Sequence, residues 1–556
     1  VEACPASTAL YSFSMTILTL AKAAGSAVRR WGRESGVALP RPVAPVLIAC
    51  AWSLLVFTTI LWVWGVNARV LISPDEALNR FSAGIIAKQW RPFLTLPFPD
   101  PEDIAHPRHW VSVGDRAIPS YAPLAIYVYG FLLRLRLLGH LLVAALPASA
   151  VAGLVLGTAR LLPDERKWLS AFVPMLGFPA LYWLMRPWMN LSALLTCVCW
   201  SFFFWTSWQV TGKSRHLTIA VFGLGAAAAV RPDYAAYLLL VTLLFALAAS
   251  PAQYKRIVVL VIAAGASAVA INLFLNWVIT GHPMLAAYQI VAARDEGTDG
   301  PGGPLGLLRQ LLVPMGVPKP LMALGFLRKY WLEMGPIAGL TLAQLALVPV
   351  LSSRPRLVRV LYGLGLVVML CFVLSHMDEN LNGASERLGA VHHSMPRYWS
   401  PVYLLAALPP ILFLGRCQKR GVFLAGVALV SVLVLASGYE IARREGSSLV
   451  KLYQFAQRWG QIVPALSDKI PREAMVYSGT HDKVLWPYFR VGTMTEPEPT
   501  ASSMRRAIDA NLQVYLFEPR FPRARLRALE RALRRKRLTI ASIDRRGIFL
   551  VTRARP

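Results

Sequence analysis

Two adjacent carboxylates, Asp75 and Glu76, are the residues of this chain best placed to do chemistry. They stand in Ser73-Pro74-Asp75-Glu76-Ala77-Leu78-Asn79-Arg80, which follows the first long apolar segment. A carboxylate held within hydrogen-bond reach of a hydroxyl can take its proton as the oxygen attacks an electrophile. Ser73 suits a helix cap, Pro74 suits the first turn, and Glu76 completes a capping box. Both acids then sit at a helix N-terminus, where the dipole favours ionised carboxylates. Arg80 is four residues beyond Glu76, so an ion pair is expected to occupy Glu76. Asp75 has only neutral Asn79 at that spacing and is expected to be the freer proton acceptor.

The surrounding elements are membrane spans. Hydrophobic residues make up 56% of the 556, and runs of about 18 to 24 apolar residues recur, long enough to cross a ~30 Å hydrocarbon core. The net charge is +29, from 58 Lys and Arg against 29 Asp and Glu. In a membrane protein that balance points to anionic headgroups or an anionic lipid substrate rather than nucleic acid. The six cysteines show neither a disulfide framework nor zinc spacing.

The expected fold class is a polytopic α-helical membrane protein of about 11 transmembrane helices, with a small C-terminal extracytoplasmic α/β domain. Residues 1–42 read as a cytoplasmic N-terminal segment. The transmembrane module covers 43–438, with outer loops at 67–137, 280–335 and 376–396. Spans are expected near 43–66, 138–159, 168–185, 190–210, 216–231, 233–250, 256–279, 336–352, 357–375, 397–415 and 420–438. The short apolar stretch 121–135 ends Arg134-Leu135-Arg136 and reads as an interfacial helix on the outer face. With it lying flat, every inside loop is basic, as the distribution of Lys and Arg requires. Residues 439–556 then fall outside as the α/β domain, with helices near 447–466 and 521–537 and strands near 474–479, 512–517, 538–543 and 547–552.

The order of landmarks resembles the GT-C superfamily of membrane glycosyltransferases, which includes the aminoarabinose and protein O-mannosyl transferases. The landmarks are the Pro-Asp-Glu opening of the first outer loop, Ala159-Arg160-Leu161-Leu162, Phe178-Pro179 before Arg186–Asn190, Ala229-Val230-Arg231-Pro232, and Pro396-Arg397-Tyr398. The resemblance covers roughly 43–415. It implies transfer of a sugar from a polyprenyl-phosphate donor to an acceptor hydroxyl on the outer face of the membrane, with inversion. The acceptor would be a cell-envelope glycan, lipid or protein. It implies Asp75, with Glu76 beside it, as the catalytic acid position, and Arg231 as the cation on the lipid phosphate. Relatives often carry a second Asp where this chain has Asn190, in Arg186-Pro187-Trp188-Met189-Asn190.

Lys88, Arg91 and Arg397 are further phosphate-binding candidates on the same face. His392 and His393 are candidates for hydrogen bonding to substrate, as are Asn190 and Trp188 for substrate contact, Trp188 by stacking on a sugar. No metal site is expected. His106 and His109 flank Pro107, which argues against the regular helix that would align them; a divalent cation as cofactor is left open. A polysaccharide polymerase or ligase using a lipid-linked donor is one alternative, and a lipid or sugar transporter another. The transporter reading would call for ionisable residues near mid-bilayer, and the charges here cluster at span ends.

Overall fold

In the computed structural model, residues 43–283 and 397–554 are described, except 67–70, 72, 91, 121–122, 444–447, 480, 487, 520 and 545–546; between the two stretches only Leu364, Val367, Val368 and Cys371 are. The chain is a helical polytopic membrane protein with a C-terminal mixed α/β sheet. The first helix, α1 (Val43–Trp64), is apolar on all sides. Its 22 residues span about 33 Å at 1.5 Å per residue, enough to cross a bilayer. The chain then turns into α2 (Pro74–Gln89), whose start is the expected capping box: Ser73 accepts from the Asp75 N–H, and Glu76 accepts from the Ser73 N–H.

The loop that follows is not irregular. Its strands β1 (Leu94–Thr95), β2 (Trp110–Val113) and β3 (Arg116–Pro119) pair antiparallel in the order β1-β3-β2. Next comes α3 (Leu124–Leu133), within the stretch 121–135 and too short at ten residues to cross alone. Arg136, at φ 53°, reverses the chain into α4 (Leu137–Arg160).

The span expected at 168–185 is broken. It runs as a 3-10 helix (Asp164–Phe172) and two short helices, α5 (Val173–Leu176) and α6 (Phe178–Leu184). Pro174 and Pro179 each lack the N–H that a continuous helix needs, and Gly177 lies between them. Packing holds the pieces instead: Phe178, Ala180, Leu181, Tyr182, Trp183 and Leu184 are all buried. Indole N–H groups bind them to α1, with Trp52 donating to the Ala171 carbonyl and Trp64 to that of Met185.

Four further helices follow: α7 (Asn190–Thr211), α8 (Ser214–Val230), α9 (Pro232–Ala249) and α10 (Tyr254–Thr280). The spans expected at 336–352 and 357–375, and the loop 376–396, lie outside the described residues apart from the four residues named above. The span expected at 397–415 is two helices, α11 (Ser400–Ala406) and α12 (Leu408–Arg416), parted just before Pro409-Pro410. Then comes α13 (Arg420–Ala442). Among the described residues, α1, α4, α7, α10 and α13 are long and apolar enough to cross a membrane.

The C-terminal unit begins with α14 (Leu449–Ser467) and contains β4 (Met475–Ser478), α15 (Asp482–Leu485), β5 (Arg490–Thr493), α16 (Pro497–Asp509), β6 (Val514–Phe517), α17 (Arg523–Arg535), β7 (Leu538–Asp544) and β8 (Ile548–Arg553). The sheet order is β5-β4-β6-β8-β7, parallel across β5-β4-β6 and antiparallel at β6-β8 and β8-β7. The helices and strands expected here are present. Strand β5 and helix α16 were not legible: a four-residue Arg-Val-Gly-Thr strand carries too little pattern.

The first loop packs on this unit. Arg108 pairs with Asp482 at 2.6 Å, and Thr493 donates through its N–H to the Ile104 carbonyl at 2.7 Å. Trp486 packs beside Phe81 of α2 and Trp110 of β2. The loop and the C-terminal unit therefore share one side of the helical unit.

Gly139 marks the tightest joint. A Cβ there would lie 1.9 Å from the Leu132 carbonyl oxygen, and a backbone atom cannot swing away as a side chain can. Gly139→Ala should destabilise the α3–α4 corner by about 1–3 kcal/mol, read as a lower thermal unfolding midpoint of the detergent-purified protein.

Candidate active site

The start of α2 is the centre of a buried polar cluster. Asp75 is 9% exposed and Glu76 is fully buried. Their roles part, but not through the partner expected from helical spacing. Glu76 does not pair with Arg80. It receives Arg186 bidentately, Nε to Oε1 at 2.8 Å and Nη2 to Oε2 at 2.7 Å. A planar guanidinium meeting a carboxylate fork with two parallel hydrogen bonds outcompetes a single i,i+4 contact. Burial alone would lower the Arg186 pKa, but the Glu76 carboxylate outweighs it and holds the guanidinium above its ordinary range. Arg80 lies instead over the Trp188 ring, 5.1 Å from its centroid, and burial pushes its pKa down to about 10.

The turn 185–190 is thereby pinned to α2. Asn79 donates from Nδ2 to the Trp188 carbonyl at 2.7 Å. Trp188 is buried and meets Tyr129 edge-on. Asn190, the first residue of α7, is buried, and its Oδ1 has no hydrogen-bond partner among the described residues.

Asp75, expected from helical spacing to be the freer acid, has partners of its own. Its Oδ2 receives Nη1 of Arg397 at 2.5 Å, and its Oδ1 lies 3.4 Å from Nε2 of His109. Both partners are remote in sequence, so spacing along α2 could not reveal them. His109 stands at φ 66°, in the left-handed region, and its carbonyl accepts from the Ser120 N–H. Arg397 also donates from Nη2 to the Tyr398 hydroxyl at 3.0 Å.

Arg231 reaches the same cluster through Tyr398. Its guanidinium lies 5.4 Å from the Tyr398 ring centroid and 5.0 Å from that of Tyr234, and the Tyr234 hydroxyl donates to the Tyr398 carbonyl. The Arg397 guanidinium is 4.9 Å from the same Tyr398 ring. Thus Asp75, Arg397, Tyr398 and Arg231 form a connected series, with His109 on the other carboxylate oxygen. Tyr398, Tyr234, His109 and Arg186 were not singled out from the sequence for these contacts. Arg186 and Tyr398 stood within recognised landmarks; His109 next to Trp110 carried no such signal.

Of the remaining candidates, the described one lies away from this cluster. Lys88 is exposed in the last turn of α2. Thirteen residues from Asp75, it stands about 20 Å away along the helix axis. Arg91, His392 and His393 lie outside the described residues.

The global arrangement has a counterpart among solved structures. Over 91% of this chain and 97% of the other, it matches ArnT from Cupriavidus metallidurans bound to undecaprenyl phosphate, with a TM-score of 0.50 at 15% identity. The fold resembles that of ArnT. The apo state of the same ArnT matches over 90% of this chain and 98% of the other, with a TM-score of 0.46 at 16% identity. No family profile matches the sequence, and no curated protein does either. The likeness is one of fold, over about 90% of the chain at low sequence identity.

The ion pair beneath the site has a measurable signature. Arg186→Met leaves the buried Glu76 carboxylate unpaired and should cost about 3–5 kcal/mol. Adding Glu76→Gln to that variant removes the stranded charge and should restore part of the loss. Thermal unfolding of the two variants beside wild type reads both effects.

Proposed function

We propose that this protein is an integral membrane glycosyltransferase that moves a sugar from a polyprenyl-phosphate donor to an acceptor hydroxyl. In this reading the site, the first loop and the C-terminal domain face the outer side of the membrane. The observation that carries the proposal is Asp75 paired with Arg397, with Arg231 joined to Arg397 through Tyr398. The ArnT-like fold agrees with it, and ArnT was crystallised with undecaprenyl phosphate.

The chemistry follows from charge. A polyprenyl-phosphate sugar is a phosphodiester with one negative charge. As the bond from the anomeric carbon to the phosphate oxygen breaks, the departing lipid phosphate gains a second. It needs cations rather than a proton, and guanidinium groups fit phosphate bidentately. Arg397 and Arg231 supply them. The acceptor oxygen attacks the anomeric carbon from the opposite side, inverting it, and Asp75 takes its proton. Arg397 has two roles in this scheme. Without donor it neutralises Asp75; when donor phosphate arrives it shifts its hydrogen bonds to the phosphate and leaves the carboxylate for the acceptor. Glu76 is held by Arg186 and supports the helix start. Trp188 and Asn190, both buried, lie on the turn held against α2 and back the site. The envelope acceptor is a glycan, lipid or protein.

With labelled polyprenyl-phosphate sugars and the purified protein, Asp75→Asn should lower transfer at least about 10²-fold with unchanged folded yield. Wild-type turnover in that variant would end the proposal. Arg231→Ala should raise the apparent KM for donor, while Arg397→Ala should lower kcat as well, since it also orients Asp75. Movement of labelled substrate into proteoliposomes without a covalent product would favour a transporter instead.

A further inference from the structure

A second polar cluster lies in the loop between β1 and β2, apart from the Asp75 site. Asp100, Asp103 and His106 recur at three-residue intervals, and each offers one oxygen or nitrogen within 4.8 Å of the others. The chain folds them together through turns, with Asp103 at φ 56°, a conformation Asp tolerates better than most residues. His106 Nε2 lies 2.8 Å from Asp103 Oδ1 and 3.8 Å from Asp100 Oδ2.

The hydrogen bonding of the imidazole sharpens the case. Its Nδ1 is 2.9 Å from the Pro107 carbonyl, which can only accept, so Nδ1 carries the hydrogen. On a neutral ring Nε2 is then a lone pair pointing at two carboxylates. A ring proton on Nε2 would satisfy Asp103, but at 3.8 Å it would not reach Asp100. The Asp100 side chain is fully buried, and its Oδ1 has no hydrogen-bond partner among the described residues. A buried carboxylate oxygen left in that state is costly. One divalent cation among the three groups would neutralise both acids and use the lone pair.

We propose that Asp100, Asp103 and His106 bind a divalent transition cation of the Zn2+ or Mn2+ kind. Two carboxylate oxygens and one imidazole nitrogen suit these ions, and neither a soft thiolate-seeking ion nor an all-oxygen calcium cage. Water fills the open positions. The outer supports of such a site are present. The Nδ1–H bond to Pro107 orients the ring, while the Ala105 N–H and the Ser112 hydroxyl donate to Asp100 Oδ2 and the Ser112 N–H donates to Asp103 Oδ1.

The cation is structural in this proposal and touches no substrate. The Ile104 carbonyl accepts from the Thr493 N–H, and the His106 carbonyl accepts from the Thr493 hydroxyl, so the liganding segment is fastened to β5. Ala105 enters the core with Met475 and Tyr477. Three residues after His106, His109 contacts Asp75. The ion would therefore stiffen the loop that carries His109 and join it to the C-terminal unit.

The test uses the full chain in detergent, stripped with chelator, desalted and titrated with Zn2+ or Mn2+, with bound metal counted by mass spectrometry. Wild type should retain about one ion per chain, and its unfolding midpoint should rise on loading. Asp103→Asn and His106→Gln should each weaken binding at least about 10-fold and lose that rise. The His106→Gln amide still can donate to Asp103, which preserves the loop fold. Asp115→Asn, at an exposed acid in the turn between β2 and β3, should bind as wild type does. Stripped wild type that takes up neither ion, or His106→Gln and Asp103→Asn binding with wild-type stoichiometry and affinity, would overturn the proposal.

Discussion

The bidentate pair between Glu76 and Arg186 is the constraint on which the candidate site rests. Both groups are buried, so neither can be left without the other. Glu76 also closes the capping box, which means one side chain holds the helix start and the turn before α7 together. Neighbouring residues on a helix point about 100° apart. Once Glu76 is committed to Arg186, Asp75 must face another way, and there it meets Arg397 and His109. Two chemically similar acids thus acquire different surroundings from one packing decision.

Aromatic rings then carry the arrangement outward. Tyr398 touches the guanidinium groups of both Arg397 and Arg231, and Tyr234 fixes the Tyr398 backbone. Rings of this kind place cations at fixed distances without neutralising them. The resulting site has a carboxylate at one end and positive charge beside it. In the proposed reaction that polarity matches an acceptor hydroxyl that loses a proton and a lipid phosphate that gains negative charge.

The first loop depends on the C-terminal unit for its shape. A loop of this length seldom keeps one conformation through its own contacts. Here Arg108 is held by Asp482, and Thr493 takes hold of the backbone at Ile104 and His106. His109 reaches Asp75 from a segment fastened on its other side. The small sheet in the loop and the five-stranded sheet therefore serve the same end, which is to keep a polar segment still against a helix start.

Much of this was written in local pattern. The capping box, the long apolar helices, the short α3 and most of the C-terminal strands follow from residue spacing, because helices and strands are set by neighbours a few positions away. Asp75 stood out for the same reason, as did Arg231 and Arg397 through their place among landmarks. The broken helix at 164–184 was partly legible in Pro174, Gly177 and Pro179, but an apolar run alone reads as a span. What the sequence did not contain was partnership. Glu76 finds Arg186 110 residues away, and Asp75 finds Arg397 322 residues away. Charge–charge choice depends on distance in space and on burial, and both exist only after the helices have packed. The chain's own order decided which acids and bases were on hand, and the tertiary structure decided which of them meet.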